Sequence, residues 1–289
     1  MLEAQRQFIL AGERAGQRYG LTVPRTTSAN LSGGQLGQRA GSSLEFREHR
    51  DYQPGDDLRR IDWNAFARSD KLTVKLYREE ISPHVDLLLD GSRSMALAES
   101  AKWAASVGLA AALAVAADNA GYVAQAWLIG ERCEPVLNGS GKPSAWGELR
   151  CDFAGNPGEA FTRVPPRFRR QGMRVLLSDL LWLGDPLVMV QQLAQGASSV
   201  VVVQVLAEAD IHPPERGRVR LVDSETEEQR EIFIDDAALR RYEEALARHQ
   251  QNWQRACRQA GAVMVSLIAE ELVANWNLAA LVKADVLKV

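Results

Sequence analysis

Four side chains stand out by type and spacing: Asp90, Ser92 and Ser94 in Asp90-Gly91-Ser92-Arg93-Ser94-Met95, and Asp179 in Ser178-Asp179-Leu180. Both groups follow short apolar runs, Val85-Asp86-Leu87-Leu88-Leu89 and Arg174-Val175-Leu176-Leu177-Ser178. A carboxylate with hydroxyls two and four positions later converges on one point only if the chain curls around it, and Gly91 helps such a curl. Hard oxygen donors of this kind suit Mg²⁺ (or Mn²⁺), which keeps several waters and tolerates carboxylates behind them. Asp179, from a second strand end, completes the charge balance. A structural alternative stays open, in which Ser92 or Ser94 merely caps the following helix.

Strand ends can present such groups only in a particular kind of fold. From residue 84 onward, apolar runs alternate with helical patterns. Val85–Leu89, Tyr122–Ile129, Arg174–Ser178, the β-branched Val200–Leu206 and Ala262–Ile268 read as strands. Leu97–Asn119, Pro186–Gln195, Asp236–Ala260 and Glu270–Val282 read as helices, and Arg218–Asp223 with Arg230–Ile234 as a hairpin. Apolar strands separated by helices predict an α/β fold, a doubly wound, mostly parallel sheet of Rossmann type covered on both faces. Ligands of such sheets bind beyond the carboxyl ends of the strands, where strand order reverses. Ahead of this domain (84–289), residues 1–43 are expected to form a helix followed by a flexible Ser/Thr/Gly/Gln-rich loop. Residues 44–83 are expected to form a small β-rich subdomain, with strands at Leu44–Arg47 and Leu72–Tyr77 and a turn at Gln53-Pro54-Gly55-Asp56.

Composition narrows the class. The chain has 289 residues, 46% hydrophobic and 25% charged, with a formal charge of −3. Those values exclude a wholly disordered chain, a collagen-like fibre and a disulfide-stapled mini-protein. The near-neutral charge removes any global electrostatic drive toward nucleic acid or membrane. Three cysteines without paired spacing read as free thiols of a reducing compartment. The amino terminus lacks a signal-peptide layout, and the Ala-rich stretch Ala104–Ala117 is short of the about 20 strongly apolar residues of a spanning helix. A cytoplasmic protein without a membrane span is expected.

The D-x-S-x-S pattern at Asp90, Ser92 and Ser94 resembles the metal-ion-dependent adhesion site of von Willebrand factor A domains. An upstream segment extends the likeness. Arg50, Tyr52, Pro54, Gly55, Asp56, Asp57, Arg59, Ile61, Asp62 and Trp63 match, at every position, the pattern R-x-Y-x-P-G-D-D-x-R-x-I-D-W, which runs on through Arg68. It resembles the signature of the bacterial domain-of-unknown-function family fifty-eight, a von Willebrand A-like branch, and the likeness continues to Leu221-Val222-Asp223 and Tyr242. The resemblance implies direct ligation of the ion by Ser92 and Ser94, with Asp90 and Asp179 acting largely through water. It implies an adaptor or maturation role beside a MoxR-type AAA+ ATPase or its client. It further implies that the charged signature residues hold the small subdomain to the metal domain or meet a partner. A domains usually add a Thr from an intervening loop. Here the only Thr between Asp90 and Asp179 is Thr162, followed closely by Pro165 and Pro166, so it is either a ligand or a plain loop residue.

Other signals weigh less. Leu31-Ser32-Gly33-Gly34-Gln35 spells the ABC-ATPase signature, but Gly139-Ser140-Gly141-Lys142 fails the phosphate-loop spacing that must accompany it. A metal-dependent hydrolase using the Asp90 loop is the enzymatic alternative. It lacks a second Asp two positions on, where Ser92 stands, and the histidines His49, His84, His212 and His249 are scattered. Arg163, Arg167, Arg169, Arg170 and Arg174, interleaved with Phe161 and Phe168, give a nucleic-acid alternative against a solvated loop.

Overall fold

Turn-bounded β-branched runs and alanine- or charge-rich segments settle into alternating strands and helices. A computed structural model of the chain describes residues 2–22, 44–79, 83–97, 100–212, 216–224 and 228–289. The loop expected through residue 43, with its Leu31–Gln35 motif, lies outside the described residues from position 23. The elements begin with α1 (Leu2–Gly16), β1 (Gly20–Leu21), β2 (Leu44–Asp51), α2 (Trp63–Ser69), β3 (Thr73–Glu79) and β4 (His84–Asp90). Next come α3 (Lys102–Asn119), β5 (Val123–Ile129), β6 (Cys133–Pro135), α4 (Pro157–Arg163), β7 (Met173–Ser178), α5 (Pro186–Ala194) and β8 (Ser199–Leu206). The chain ends with α6 (Glu208–Ile211), β9 (Gly217–Val222), β10 (Gln229–Ile234), α7 (Asp236–Gln259), β11 (Val263–Ile268), α8 (Ala269–Asn275), α9 (Ala279–Lys283) and β12 (Leu287–Lys288).

These elements form two compact units, Met1–Thr26 with Pro83–Val289, and Thr27–Ser82. The larger unit is a mixed α/β structure around a six-stranded sheet of order β11-β8-β7-β4-β5-β6. All neighbours in it pair parallel except the edge strand β6, which runs antiparallel to β5. Period-two alternation splits its side chains between two faces. Leu87, Leu89, Val175, Leu177, Val201 and Val203 join the core under α3 and α8, whereas Leu88, Leu176, Val200 and Val202 join the core with Phe161, Val190 and Trp253. Both faces are covered, which is why the strands read as near-continuous apolar runs.

Helix α3 is buried along most of its length, from Ala105 to Ala117. Such a helix has no polar face because it is enclosed on opposite sides, and α1 supplies one of them, with Ile9 in the same core as α3. The N-terminal helix, set apart in the sequence by the long loop after it, therefore belongs to the larger unit, where β1 also pairs antiparallel with β12. Two helix boundaries differ from the pattern-based expectation. Residues Arg93–Ala96 form a 3₁₀ turn and α3 starts only at Lys102. The closing helix divides into α8 and α9, because Trp276 takes a left-handed backbone (φ 50°) and the Asn275 and Asn277 side chains accept from the amides of Asn277 and Ala279.

In the smaller unit β2 and β3 pair antiparallel, with an irregularity between Phe46 and Glu48. The Asp62 carboxylate caps α2, accepting from the amides of Asn64 (3.0 Å) and Ala65 (3.1 Å).

Candidate functional site

Sheet order reverses between β4 and β7, since the chain passes from β4 to β5 on one side and later returns to place β7 on the other. The carboxyl ends of these two strands therefore frame the crevice where a ligand of a doubly wound sheet is expected. Asp90 is the last residue of β4, Ser178 is the last of β7, and Asp179 follows it directly. The two sequence-predicted carboxylates thus flank one point, and neither is exposed beyond 1%.

The loop after Asp90 is built by close backbone contacts. Gly91 donates its amide to the Ile129 carbonyl (2.9 Å) and accepts from the Phe153 amide (3.1 Å). A Cβ on Gly91 would stand 2.9 Å from the Ile129 oxygen and 3.0 Å from the Arg150 oxygen, so the position needs glycine for space. The Ser92 amide donates back to Asp90 Oδ1 (2.9 Å), and the hydroxyls of Ser92 and Ser94 lie 3.0 Å apart. Neither serine caps a helix with its side chain. The 3₁₀ turn starting after Ser92 has no side-chain cap, and α3 begins well beyond Ser94.

Asp90 Oδ2 accepts from the Ser178 hydroxyl at 2.6 Å. Burial, and then the neighbouring charge of Asp179, push the Asp90 carboxyl up to about 7, against the hydrogen bonds from Ser178 and Ser92. A buried carboxylate here thus lacks full compensation. Leu180 follows in a left-handed conformation (φ 59°), rare for a bulky residue. It is held by its amide donating to Ser178 Oγ (2.8 Å) and by His249 Nε2, 2.6 Å from its carbonyl oxygen. Backbone strain of this sort persists where the surroundings fix it, and often at ligand sites.

Asp179 has a partner that the strand-end pattern did not reveal. Lys102 Nζ lies 2.8 Å from Asp179 Oδ2 and 3.2 Å from Asp210 Oδ2, and the lysine is 1% exposed. Burial opposes its charge, but the two carboxylates outweigh that penalty and hold the ammonium above its ordinary range. The other Asp179 oxygen accepts from the Leu181 amide (3.0 Å). Asp210 in turn accepts from the Ala207 amide (2.8 Å), and its carbonyl accepts from the Tyr242 hydroxyl (2.6 Å). Asp210 lies in the short helix α6 that follows β8, four residues past the strand end, so a search of the segments after the strands is the signal that leads to it. Lys102, the lone cation at the start of an alanine-rich helix, was the other available signal.

Thr162 comes from a different element. It sits in the short helix α4, and its hydroxyl donates to the Glu159 carbonyl (3.1 Å). It lines a groove of about 190 Å³ with Gly158, Trp182, Leu183 and Val188. Of the basic run, Arg174 is 3% exposed and donates to the carbonyls of Leu193 (2.6 Å) and Gln195 (3.1 Å) at the end of α5, while Phe161 is fully buried. Arg163, Arg167, Arg169 and Arg170 remain exposed.

The signature residues of the smaller unit bind one another. Arg50 donates twice to Asp56 (2.8 and 2.9 Å), Asp56 also accepts from the Gln53 amide, and Asp57 pairs with Arg59 at 2.9 Å. Asp62 Oδ2 meets His49 Nε2 at 2.7 Å and Lys75 Nζ at 3.4 Å. Pro54 and Gly55 form the turn, with Gly55 at φ 107°. Trp63 is 59% exposed and touches Phe66 edge-on. Tyr52 donates its amide to the Leu72 carbonyl and Arg68 its Nε to the Asn64 carbonyl.

A divalent ion can be tested against this geometry. The Ser92 and Ser94 hydroxyls hydrogen-bond to each other at 3.0 Å, a spacing that adjacent ligands about 2.1 Å from an octahedral ion would also keep, at about 3.0 Å. Beside them Asp90 is a buried carboxyl whose ionised form burial and the Asp179 charge disfavour. Among the described residues no cluster of three or more His, Cys, Asp or Glu is placed to hold a metal, so an ion here would rest on hydroxyl oxygens as well as carboxylates. On those terms the residues fit the ion. No helix among the described residues is long and apolar enough to cross a membrane.

The family of proteins of unknown function DUF58 matches residues 48–252. The uncharacterized protein Mb1516 of Mycobacterium bovis is 29% identical over 265 residues, covering 86% of this chain and 81% of that protein. The uncharacterized protein Rv1480 of Mycobacterium tuberculosis matches with the same values: 29%, 265 residues, 86% and 81%. Among solved structures, the conserved hypothetical protein BatB of Bacteroides thetaiotaomicron aligns with a TM-score of 0.35 at 14% identity, over 70% of this chain and 98% of that one.

Proposed function

This chain belongs to the DUF58 family of proteins of unknown function, and from that premise we propose that it is a metal-dependent protein-binding module of von Willebrand A type rather than an enzyme. The observation that carries the reading is the pair of hydroxyls, Ser92 and Ser94, 3.0 Å apart beside the undercompensated Asp90 at the switch point of the sheet. In this proposal Mg²⁺ or Mn²⁺ is ligated by Ser92 and Ser94, with Asp90 and Asp179 acting largely through water. A bound dication supplies a positive centre that an acidic side chain of a partner can complete. The chain's own residues fix the Ser92 backbone and the two carboxylates, through the Ser92 amide and Ser178 hydroxyl on Asp90 and the Leu181 amide on Asp179. Thr162, bonded within α4, belongs to the neighbouring groove wall.

The rim supports protein binding. Leu97, Leu181 and Leu183, in the segments after β4 and β7, are 44%, 37% and 85% exposed. Exposed large apolar side chains in such segments are what an interaction surface can use. The resemblance to the family suggests a MoxR-type AAA+ ATPase, or its client, as the partner, and a cytoplasmic setting. The test is a pull-down of the purified cognate ATPase by the full chain in Mg²⁺ and in EDTA. Capture is expected in Mg²⁺ only, and Asp90→Ala should abolish it while the circular dichroism spectrum stays unchanged. Capture that survives both EDTA and Asp90→Ala would overturn the proposal.

A further inference from the structure

We propose that Lys102 is a built-in competitor for the cation site, setting how much divalent ion the site needs before it fills. The inference rests on the cation reading above and concerns its control. Lys102 is the first residue of α3, and its whole side chain is enclosed, 1% exposed. Its ammonium lies 2.8 Å from Asp179 Oδ2, on one of the two carboxylates available to an ion beside Ser92 and Ser94. The second contact, 3.2 Å to Asp210 Oδ2, holds it from the other side. Asp210 is itself fixed, because its carboxylate accepts from the Ala207 amide and its carbonyl from the Tyr242 hydroxyl. Glu270 accepts from the amides of Ala101 and Glu208, tying the start of α3 to the segment that carries Asp210. The lysine is thus clamped in place.

Two consequences follow from that clamp. A positive charge close to Asp179 lowers the electrostatic gain of a dication at the same carboxylate, and it occupies an oxygen that a metal-bound water would otherwise use. The ammonium also makes the ion-free site tolerable by balancing Asp179 and Asp210. An ion therefore has to be paid back by Asp90, the serines and a partner's carboxylate together. In this arrangement the cation and the acidic partner bind with mutual assistance, and the ion alone binds weakly.

The experiment measures Mn²⁺ binding to the full chain by calorimetry, with melting temperature as a second readout. It compares wild type, Lys102→Met, and the charge-conserving double variant Lys102→Met with Asp210→Asn. The double variant serves because removing the lysine alone leaves the buried Asp179 and the half-buried Asp210 without their shared cation, which can prevent folding. The expected result is Mn²⁺ affinity roughly tenfold to a hundredfold higher without the lysine, the range over which partners of ligating groups tune metal sites. A larger rise in melting temperature on adding Mn²⁺ should accompany it. Equal affinity in wild type and the lysine-free variants overturns the role of Lys102 while leaving the cation reading intact. Tight binding confined to the lysine-free variants upholds Lys102 as the competitor and shifts the failure to metal dependence of the natural protein. No binding in any of the three overturns both.

Discussion

Asp62 uses each of its carboxylate oxygens differently. Oδ1 caps α2 and Oδ2 meets His49 and Lys75. The hydrogen bond from His49, then the Ala65 amide, and more weakly Lys75, hold this carboxyl down at about 2 in spite of desolvation. In the unfolded chain an aspartate titrates near about 3.9. The folded form is therefore favoured above that value, and the advantage disappears as pH falls through about 2. Amide protection in α2, corrected for the intrinsic exchange rate, should fall between pH 5 and pH 2, and in Asp62→Asn, which keeps a capping oxygen, it should be lower at pH 5 and change less on acidification. An identical pH response in the two proteins would detach the cap from the charge. Asp90 has the opposite sign. Burial and the Asp179 charge raise its carboxyl to about 7, so the native state binds more protons than the unfolded state between about pH 4 and 7, and stability falls as pH rises through that window. Asp90→Asn should raise the metal-free melting temperature at pH 8 and erase any response to Mn²⁺. A lower melting temperature at pH 8 would mean that the ionised carboxylate stabilises the fold.

The seam between α1 and α3 is the element on which the larger unit depends for its outer cover. A Cβ on Gly12 would come 1.9 Å from the Gly108 carbonyl oxygen, and one on Gly16 would come 2.4 Å from that of Ala112. Backbone this close admits no methyl group without the helices separating. Gly12→Ala should cost about 1–3 kcal/mol in denaturant unfolding, the usual penalty of overpacking, although alanine is the better helix former. Gly130→Ala, with nothing within 4 Å of the added carbon, is the control and should be close to neutral. Equal effects would show that α1 can move aside at no cost. This seam also marks where the sequence stopped being legible. The strands were readable because each is a short apolar run ending in turn residues, and Asp90 and Asp179 were readable because the rule about strand ends needs only the order of elements. The Lys102–Asp179 pair joins residues 77 positions apart, and no local period encodes it. Thr162 is picked out in the sequence as the one threonine in the interval, and the α4 turn that takes its hydroxyl proton on the Glu159 carbonyl is not visible in that criterion. The break at Trp276 hid inside an apolar pattern that a continuous helix would have satisfied equally well.

At the scale of the whole molecule the chain leaves its larger unit after the first strand and returns to it before β4. Residues Met1–Thr26 and Pro83–Val289 share one body, and Thr27–Ser82 form another. The larger unit needs its N-terminal piece for three reasons visible in the packing. Ile9 lies in the core with α3, β1 pairs with β12, and Leu21 is fully buried. The smaller unit draws its polar order from its own residues, with Arg50, Asp56, Asp57, Arg59, His49, Asp62 and Lys75 paired among themselves. Replacing residues 27–82 by a long Gly/Ser linker should leave the larger unit folded, with a cooperative thermal transition and unchanged amide protection in β4, β7 and β8. A chain beginning at Pro83 should instead expose the face of α3 that α1 covers, and aggregate or melt at a lower temperature. The opposite ranking, with the chain from Pro83 as stable as the linker-joined form, would show that α1 and β1 are decoration on a sheet able to close its core without them.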